Sequence, residues 1–252
     1  MRKDRVAYLN GALVPHADAR IHIGSEAVGF GSSVYEGYRG YWNEKLQKLY
    51  VFRMHDHITR LLQSARMMRF EHSIGRKELE RSITLTLREN RVTEDVSLRQ
   101  NLLLESEGIH DMGPIGLSVV ARASPSNVSA GQHACVSSWM RISDASMPPR
   151  IKCSGNYQNS RLAMLEARTN GYDVPIFLNS RGRVCETPGA CLFIFRNGAL
   201  VTPPATADIL ESVTRDSVLQ LAESELGLRT EVRDIDRTEL YVCDECFIVG
   251  TT

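Results

Sequence analysis

The sequence predicts an α/β protein of two domains, an α+β N-terminal domain followed by a larger mixed α/β domain. Three observations lead to this prediction. The chain has 252 residues, of which 42% are hydrophobic, and this length fits two domains better than one. Short apolar stretches alternate with amphipathic stretches at helical spacing. Small, polar and turn-forming residues between positions 124 and 131 separate two apolar stretches and mark a linker.

The N-terminal domain, residues 1–123, is predicted to open with a hairpin, since Asn10-Gly11 stands between two apolar stretches. Its helices are indicated by apolar residues that recur on one face, as Ile58, Leu61 and Ala65 do in the first helix. Strands are expected at residues 6–9, 12–14, 33–41, 49–52, 98–104 and 115–123, and helices at residues 55–68 and 76–89. This order of elements predicts an α+β domain.

The C-terminal domain, residues 134–252, follows the linker at residues 124–133. Asn197-Gly198 marks a tight turn between two of its strands. Strands are expected at residues 134–142, 174–178, 191–195, 230–232 and 246–249, with a further strand after Gly198, and helices at residues 159–169 and 214–225. This alternation predicts a mixed α/β domain.

Charge and hydropathy exclude several classes of protein. Thirty Lys plus Arg balance thirty Asp plus Glu, so nothing indicates nucleic acid or an anionic membrane as a partner. No stretch reaches the length of a membrane span, and the N-terminus has no apolar stretch of signal-peptide length. The sequence therefore predicts a cytoplasmic protein. Cys243 and Cys246 have the spacing of a metal pair, but there is no second pair, so no metal site is predicted.

Lysine is scarce in this chain, and one lysine is isolated. Five lysines stand against 25 arginines, and Lys152 is the only lysine after Lys77. Arginine solvates a surface equally well, but only a primary amine that can lose its proton forms a Schiff base. Lys152 precedes a turn-forming sequence, Ser154-Gly155-Asn156, and a lysine before such a turn can point into a cleft. Composition alone leaves two interpretations open, a chance exception to the arginine bias or a lysine with covalent chemistry.

The residues around Lys152 resemble the lysine segment of branched-chain aminotransferases, which belong to the fold-type IV enzymes dependent on pyridoxal 5′-phosphate (PLP). That segment is IKCSGNYQNS at residues 151–160. Further segments resemble the family in order and spacing: LNGALV at 9–14, GFGSSVYEGYR at 29–39, FR with His57 and RL at 52–61, RVCETPGACLF at 183–193, TPP at 202–204 with ILESVTRDS at 209–217, and DECFIVGT at 244–251. The resemblance implies a D-amino acid aminotransferase-like fold of type IV, in which the C-terminal domain is a pseudo-barrel.

The resemblance also implies which residues hold PLP. Lys152 would bind the cofactor covalently and, once released, move the proton at the substrate α-carbon. Glu186 would pair with the pyridine nitrogen, although taken alone it could equally be a solvated loop carboxylate. The other implied contacts are Tyr157 to the phenolic oxygen, Leu210 to the ring, and Arg60, Val213, Thr214 and Thr251 to the phosphate. Independently, a helix that starts near Thr214 offers backbone N–H groups to an anion, and Ser212 or Thr214 could cap it.

Substrate contacts are implied for the first domain and for the end of the chain. The residues concerned are Phe30, Tyr35, Tyr38, Arg39, Arg99 and Thr252. Arg99 would meet a side-chain carboxylate of the substrate; the alternative is a surface ion pair on a strand. The sequence departs from the family where it has Ser97, Thr187-Pro188, Ala190-Cys191, Glu211-Ser212 and Phe30. These departures spare the cofactor residues and concern the substrate.

The implied function is transfer of an amino group between a branched-chain or other hydrophobic L-amino acid and a 2-oxo acid, by a homodimer or larger homo-oligomer. Three rivals remain: a transaminase for D-amino acids or (R)-amines, a lyase of the aminodeoxychorismate type, and a non-enzymatic relative that binds an anion. The segment YEGYR at residues 35–39 favours the first function, and Lys152 with Glu186 argues against the last rival. Because the family's sequences usually continue beyond this point, we expect this chain to lack the family's C-terminal end.

Overall fold

A computed structural model describes residues 4–124 and 131–251. Its contacts divide the chain into two compact units. Of the described residues, the first unit contains 4–124 together with Ile151–Gly155, and the second contains 131–150 together with Asn156–Thr251. The lysine segment therefore belongs to the first unit, although it follows the first residues of the second unit in sequence.

The first unit is a six-stranded sheet with two long helices packed on it. The strands are β1 Val6–Leu9, β2 Ala12–Pro15, β3 Ser33–Asn43, β4 Lys48–Val51, β5 Val96–Leu104 and β6 Ile115–Ala123, and the helices are α1 Glu26–Gly29, α2 Met54–Met67 and α3 Arg76–Glu89. The sheet order is β2-β1-β6-β5-β3-β4, and every neighbouring pair is antiparallel. Helix α2 packs on β3, and α3 packs on β1 and β6.

The predicted elements of this unit are confirmed within one or two residues. The hairpin turn has positive φ at both Asn10 and Gly11, at 46° and 92°, which is the geometry that an Asn-Gly turn favours. Buried apolar side chains from the inner faces of the sheet and of α2 and α3, among them Val34, Ile58 and Leu102, form one core. Helix α1 was not predicted, because its four residues are too few to show helical periodicity.

The second unit contains a four-stranded sheet, a two-stranded sheet and two helices. The elements are β7 Ala134–Val136, α4 Tyr157–Thr169, β8 Val174–Ile176, β9 Cys191–Arg196, β10 Ala199–Thr202, α5 Val213–Ser224, β11 Arg229–Val232 and β12 Glu245–Val249. The larger sheet has the order β11-β10-β9-β12, with β10 and β11 parallel. Strands β7 and β8 form a parallel pair. Mixed strand directions agree with the predicted mixed α/β architecture.

One strand of this unit is much shorter than predicted. The prediction placed a strand at residues 134–142, whereas β7 ends at Val136. Immediately beyond it, the backbone N–H of Ser138 donates to the Glu166 carboxylate at 3.1 Å, and the Ser137 hydroxyl donates to the same carboxylate at 2.5 Å. A side chain on α4 thus binds the Ser138 N–H, a backbone group that a longer strand could give to a neighbour.

Among the described residues, no helix is both long enough and apolar enough to cross a membrane.

Candidate active site

Lys152 lies on one edge of β3, which two segments share. β4 pairs with β3 from Gly40 to Asn43. Nearer the start of β3, the Tyr35 N–H donates to the Lys152 carbonyl at 3.0 Å, and Val34 forms an antiparallel bridge with Cys153. The Lys152 N–H donates to Ser64 Oγ on α2 at 3.2 Å. Because both of its backbone polar groups are bonded to core elements, the lysine backbone is fixed on a rigid support.

Glycines allow the lysine segment to approach the loop before β3. Gly31 has φ of 71°, and a Cβ at this position would lie 3.1 Å from the Cα of Gly155. The Ser33 and Ser154 hydroxyls, whose Oγ atoms are 2.7 Å apart, connect the same two segments. A side chain at Gly31 would therefore press on the backbone of the lysine segment, whereas a Cβ at Gly155 would make only ordinary contacts.

Two cations lie against the ring of Tyr35. The Lys152 Nζ is 4.9 Å from the ring centroid, and the Arg99 Cζ is 3.8 Å from it. Tyr35 pairs with Asn101 across the β3–β5 ladder, so Arg99 is its diagonal neighbour on the same face. Contacts of this kind are attractive, because the face of an aromatic ring carries partial negative charge. The structure thus brings together Lys152, Tyr35 and Arg99, three residues that the sequence predicted for one site.

The remaining predicted substrate residues of this unit do not join that group. Arg39 lies further along β3, where its Nη1 donates to Ser124 Oγ at 2.6 Å and its guanidinium lies over the Tyr41 ring. Phe30 is 67% exposed. Tyr38 is fully buried, and its hydroxyl donates to Gln100 at 2.6 Å. The expectation that Tyr38 lines a pocket is wrong, because alternation along β3 turns it into the core, away from Tyr35.

Arg60, predicted to contact phosphate, is held by a carboxylate in the core of this unit. Its Nε donates to Glu36 Oε1 at 2.7 Å and its Nη2 donates to Glu36 Oε2 at 2.8 Å. His57 Nδ1 lies 2.8 Å from the same Oε2. Burial acts to raise the pKa of Glu36, but hydrogen bonds from Arg60 and His57 and the charges of Arg60 and Lys152 leave it below its usual value. An ionised carboxylate only accepts, so Nδ1 of His57 carries the proton.

In the second unit, Glu186 is a buried carboxylate paired with an arginine. It is 5% exposed, so the alternative of a solvated loop carboxylate is wrong. Arg141 Nη2 and Nε lie 2.7 Å and 3.0 Å from Glu186 Oε1. The Leu210 N–H donates to both carboxylate oxygens at 3.3 Å. Arg141 and the Leu210 N–H therefore compensate for the burial of this carboxylate.

A set of hydroxyl and backbone donors lies at the start of α5. Ser212 caps the helix by accepting a hydrogen bond from the Arg215 N–H at 3.2 Å, as one predicted role for it required. Val213 and Thr214 are the first two residues of the helix, at the positive end of its dipole. The hydroxyls of Thr214 and Thr251 are 3.1 Å apart. This arrangement has the chemistry that binds a phosphate.

The polar groups of the second unit fit PLP. A buried carboxylate suits a protonated ring nitrogen, and a helix start with two hydroxyls suits a phosphate. Arg141 Nη1 is buried and has no hydrogen-bond partner in the part of the chain that the structure describes. Such a donor costs stability unless a further acceptor satisfies it, and a polar ligand supplies one. Tyr157, predicted to contact the same cofactor, is half-buried at the first position of α4.

Sequence reasoning missed Glu36 and Arg141 as site residues, and quoted His57 without a role. Glu36 carried a usable signal, since it occupies an inward position of an alternating strand, where an unpaired charge is costly. His57 and Arg60 lie three residues apart on one helix face, which is compatible with a shared partner. Nothing in the sequence indicated Arg141, because its partner Glu186 is 45 residues away in the chain.

Thr252, predicted to contact substrate, lies outside the described residues, as do residues 125–130 of the predicted linker. Within residues 4–124 and 131–251, no three His, Cys, Asp or Glu side chains come together as a metal site would require.

Comparison with known proteins identifies the class. The class IV amino-transferase family matches residues 33–252. The chain therefore belongs to the class IV aminotransferases, which are PLP-dependent enzymes, and the fold-type IV assignment made from its motifs is confirmed.

Relatives of this chain within that class are named branched-chain-amino-acid aminotransferases. The chain is 38% identical over 250 residues to a probable branched-chain-amino-acid aminotransferase of Aquifex aeolicus, a match that covers 97% of this chain and 80% of the relative. It is 35% identical to the branched-chain-amino-acid aminotransferase of Escherichia coli K12, covering 99% and 82%.

Solved structures agree with this result. The branched-chain aminotransferase of Thermoproteus uzoniensis with norvaline superposes with a TM-score of 0.93 at 37% identity, covering 98% of this chain and 84% of that one. The PLP form of the enzyme from Thermobaculum terrenum gives 0.92 at 38% identity, covering 98% and 82%. The predicted resemblance to branched-chain aminotransferases is thus confirmed over nearly the whole chain.

Proposed function

We propose that this chain transfers the amino group of a branched-chain or other hydrophobic L-amino acid to a 2-oxo acid with PLP as its cofactor. The observation that carries the proposal is the placement of Lys152, the one lysine after Lys77, on the edge of β3 beside Tyr35 and Arg99. The names of its relatives support the substrate class.

In this proposal, each residue of the site has its own role. PLP, when bound, supplies an electron sink for the substrate α-carbon. The Lys152 amine holds the cofactor and moves a proton at the α-carbon of the substrate. Glu186 holds the proton on the pyridine nitrogen, and Tyr157 and Leu210 contact the ring.

The remaining contacts hold the phosphate and the substrate. The cofactor phosphate is held by Val213, Thr214 and Thr251 at the start of α5, and by Arg60. Tyr35 and Arg99 contact the substrate, and Phe30, Arg39 and Thr252 complete its pocket.

Spectroscopy and a substrate screen test this function. The purified chain with PLP is expected to show the visible absorbance of a lysine-bound cofactor, and Lys152→Ala is expected to lose it. Lys77→Ala is the matched control and should retain the absorbance. A chain that stays colourless with PLP would refute the proposal that it is a PLP-dependent enzyme. Turnover of L-valine, L-leucine or L-isoleucine with 2-oxoglutarate is expected; activity confined to D-amino acids or (R)-amines, or release of pyruvate from aminodeoxychorismate, would replace the proposed substrate class by one of its rivals.

We also propose that the chain acts in the cytoplasm as a homodimer or larger homo-oligomer. The exposed ring of Phe30, expected to contact substrate, supports an assembly in which a second copy covers it. Light scattering on the purified chain measures the assembly. A monomer with full activity would refute this part of the proposal and leave the chemistry standing.

A further inference from the structure

We infer that Glu36 is a positioning residue, which fixes the guanidinium of Arg60 in the orientation that recognises the phosphate of the cofactor. The inference rests on the proposed function, because Arg60 is assigned to the phosphate only there. Glu36 itself contacts no ligand in this proposal. It acts through Arg60.

The first argument is the geometry of the pair. Glu36 uses one oxygen for Arg60 Nε and the other for Nη2, at 2.7 Å and 2.8 Å, which is the two-bond fork of a guanidinium and a carboxylate. Since the guanidinium is planar, two bonds fix both its plane and its rotation. A single bond or a bare charge would leave the arginine able to rotate. The orientation of the Arg60 guanidinium is therefore set by Glu36.

The second argument is the support of Glu36. Its side chain is fully buried, and His57 donates to Oε2 from the turn of α2 that precedes Arg60. The carboxylate is thus fixed to β3 by its own backbone and to α2 by two different side chains. A buried ion pair often adds little net stability compared with apolar residues, so orientation is the property that this arrangement secures best.

The third argument concerns charge. The ionised carboxylate offsets the charge of Arg60, so Arg60 contributes directed hydrogen bonds to a phosphate more than net attraction. Glu36 also lies within electrostatic reach of Lys152, which contributes to its low pKa. The same carboxylate therefore interacts electrostatically both with the residue that would hold the phosphate and with the residue that would hold the aldehyde carbon of the cofactor.

The test compares PLP with pyridoxal, which has the same ring and aldehyde but no phosphate. Glu36→Gln keeps the shape of the side chain but cannot accept both arginine bonds. We expect it to weaken PLP binding about 10-fold or more while pyridoxal binding changes less than about 2-fold. Glu26→Gln is the matched control, because Glu26 is also buried in this unit and its carboxylate binds Ser32 Oγ and the His110 N–H. It should leave both affinities unchanged.

A double-mutant cycle separates positioning from general damage. If Glu36 acts through Arg60, then Glu36→Gln should add no further loss of PLP preference in an Arg60→Lys background. Glu36→Asp serves if Glu36→Gln does not fold, because the shorter carboxylate cannot reach both nitrogens and should give the same selective loss. Equal weakening of PLP and pyridoxal, unchanged PLP binding, or additive losses in the cycle would each overturn the inference. A wild-type chain that binds no PLP through Lys152 would instead refute the proposed function.

Discussion

Each unit of this protein buries a carboxylate against an arginine, and the two pairs differ in construction. In the first unit, Glu36 receives Arg60 on both oxygens and His57 on one of them. In the second unit, Arg141 directs two nitrogens to a single oxygen of Glu186, and its third nitrogen, Nη1, is buried without a partner among the described residues. In the first pair both carboxylate oxygens are occupied by side chains of the same unit, whereas the arginine of the second pair retains a donor that a ligand can use. We therefore expect the first to serve orientation and stability, and the second to serve chemistry.

The largest expected effect is on stability, from Arg60→Leu. This change leaves the Glu36 carboxylate in the core without its main cation, and the free energy of unfolding should fall by about 3–5 kcal/mol. Urea unfolding followed by circular dichroism measures it. The control Arg66→Leu, at an exposed position on the same helix, should change stability by less than about 0.5 kcal/mol. Equal effects of Arg60→Leu and Arg66→Leu would mean that the pair of Glu36 and Arg60 stabilises the chain no more than an exposed arginine does.

The second effect is on turnover, from Glu186→Gln. Without the carboxylate, nothing on this residue holds a proton on the ring nitrogen, and kcat should fall roughly 10²- to 10³-fold. The free energy of unfolding should change far less than for Arg60→Leu, because the neutral side chain still accepts hydrogen bonds from Arg141 and from the Leu210 N–H. Steady-state kinetics with the same urea series would decide between these outcomes. Full turnover together with a large loss of stability would mean that both pairs are structural.

The third effect concerns the close approach of the lysine segment. Gly31→Ala puts a Cβ 3.1 Å from the Gly155 backbone at a positive φ, and should cost about 1–3 kcal/mol of stability as well as PLP affinity. Gly29→Ala is the matched control, since a Cβ there meets no atom within 4 Å. Thermal unfolding and PLP titration measure both variants. If the control is as damaging as Gly31→Ala, then the approach of the two backbones is not the cause.

The fourth effect is on cofactor affinity in the second unit. Thr214→Val removes one hydroxyl from the start of α5 and should weaken PLP binding about 2- to 10-fold. Pyridoxal binding should be unaffected, since pyridoxal has no phosphate. Thr169→Val, at the exposed end of α4, is the control in the same unit. A loss of pyridoxal affinity equal to that of PLP would place the hydroxyl elsewhere than at the phosphate.

The smallest effect is the pH dependence of the first pair. The pKa of Glu36 lies below its ordinary value in the folded chain, so its contribution to stability is present above the unfolded-state pKa and is lost as the pH falls through the folded-state pKa. The difference in unfolding free energy between wild type and Glu36→Gln should therefore be constant near neutrality and shrink in acid, below about pH 4. Urea unfolding over a pH series checks this. A difference that grows on acidification would contradict an ionised Glu36.

Much of this molecule could be predicted from the sequence, for identifiable reasons. The helices α2 and α3 have strong apolar periodicity, and the turn at Asn10-Gly11 has a strong local conformational preference. Lys152 and Tyr35 could be assigned to one site because the motifs around them are long, and Arg99 was assigned by its resemblance to one arginine of the family. Tyr38 was misplaced because the same motif spans both faces of β3, and a motif does not tell the faces apart. The Arg141–Glu186 pair needed the fold, since only tertiary structure brings two such distant positions together.

The shared edge of β3 has a consequence for how the chain matures. The edge beside Val34 and Tyr35 is completed by residues 151–153, which are synthesised more than 100 residues later. A ribosome-bound chain that ends at the linker would expose this stretch of strand, and exposed strand edges recruit other chains. An N-terminal fragment cut at residue 124 is therefore a poor substitute for the first unit. Lys152, the residue proposed for covalent chemistry, is therefore also among the last residues of this sheet to be synthesised.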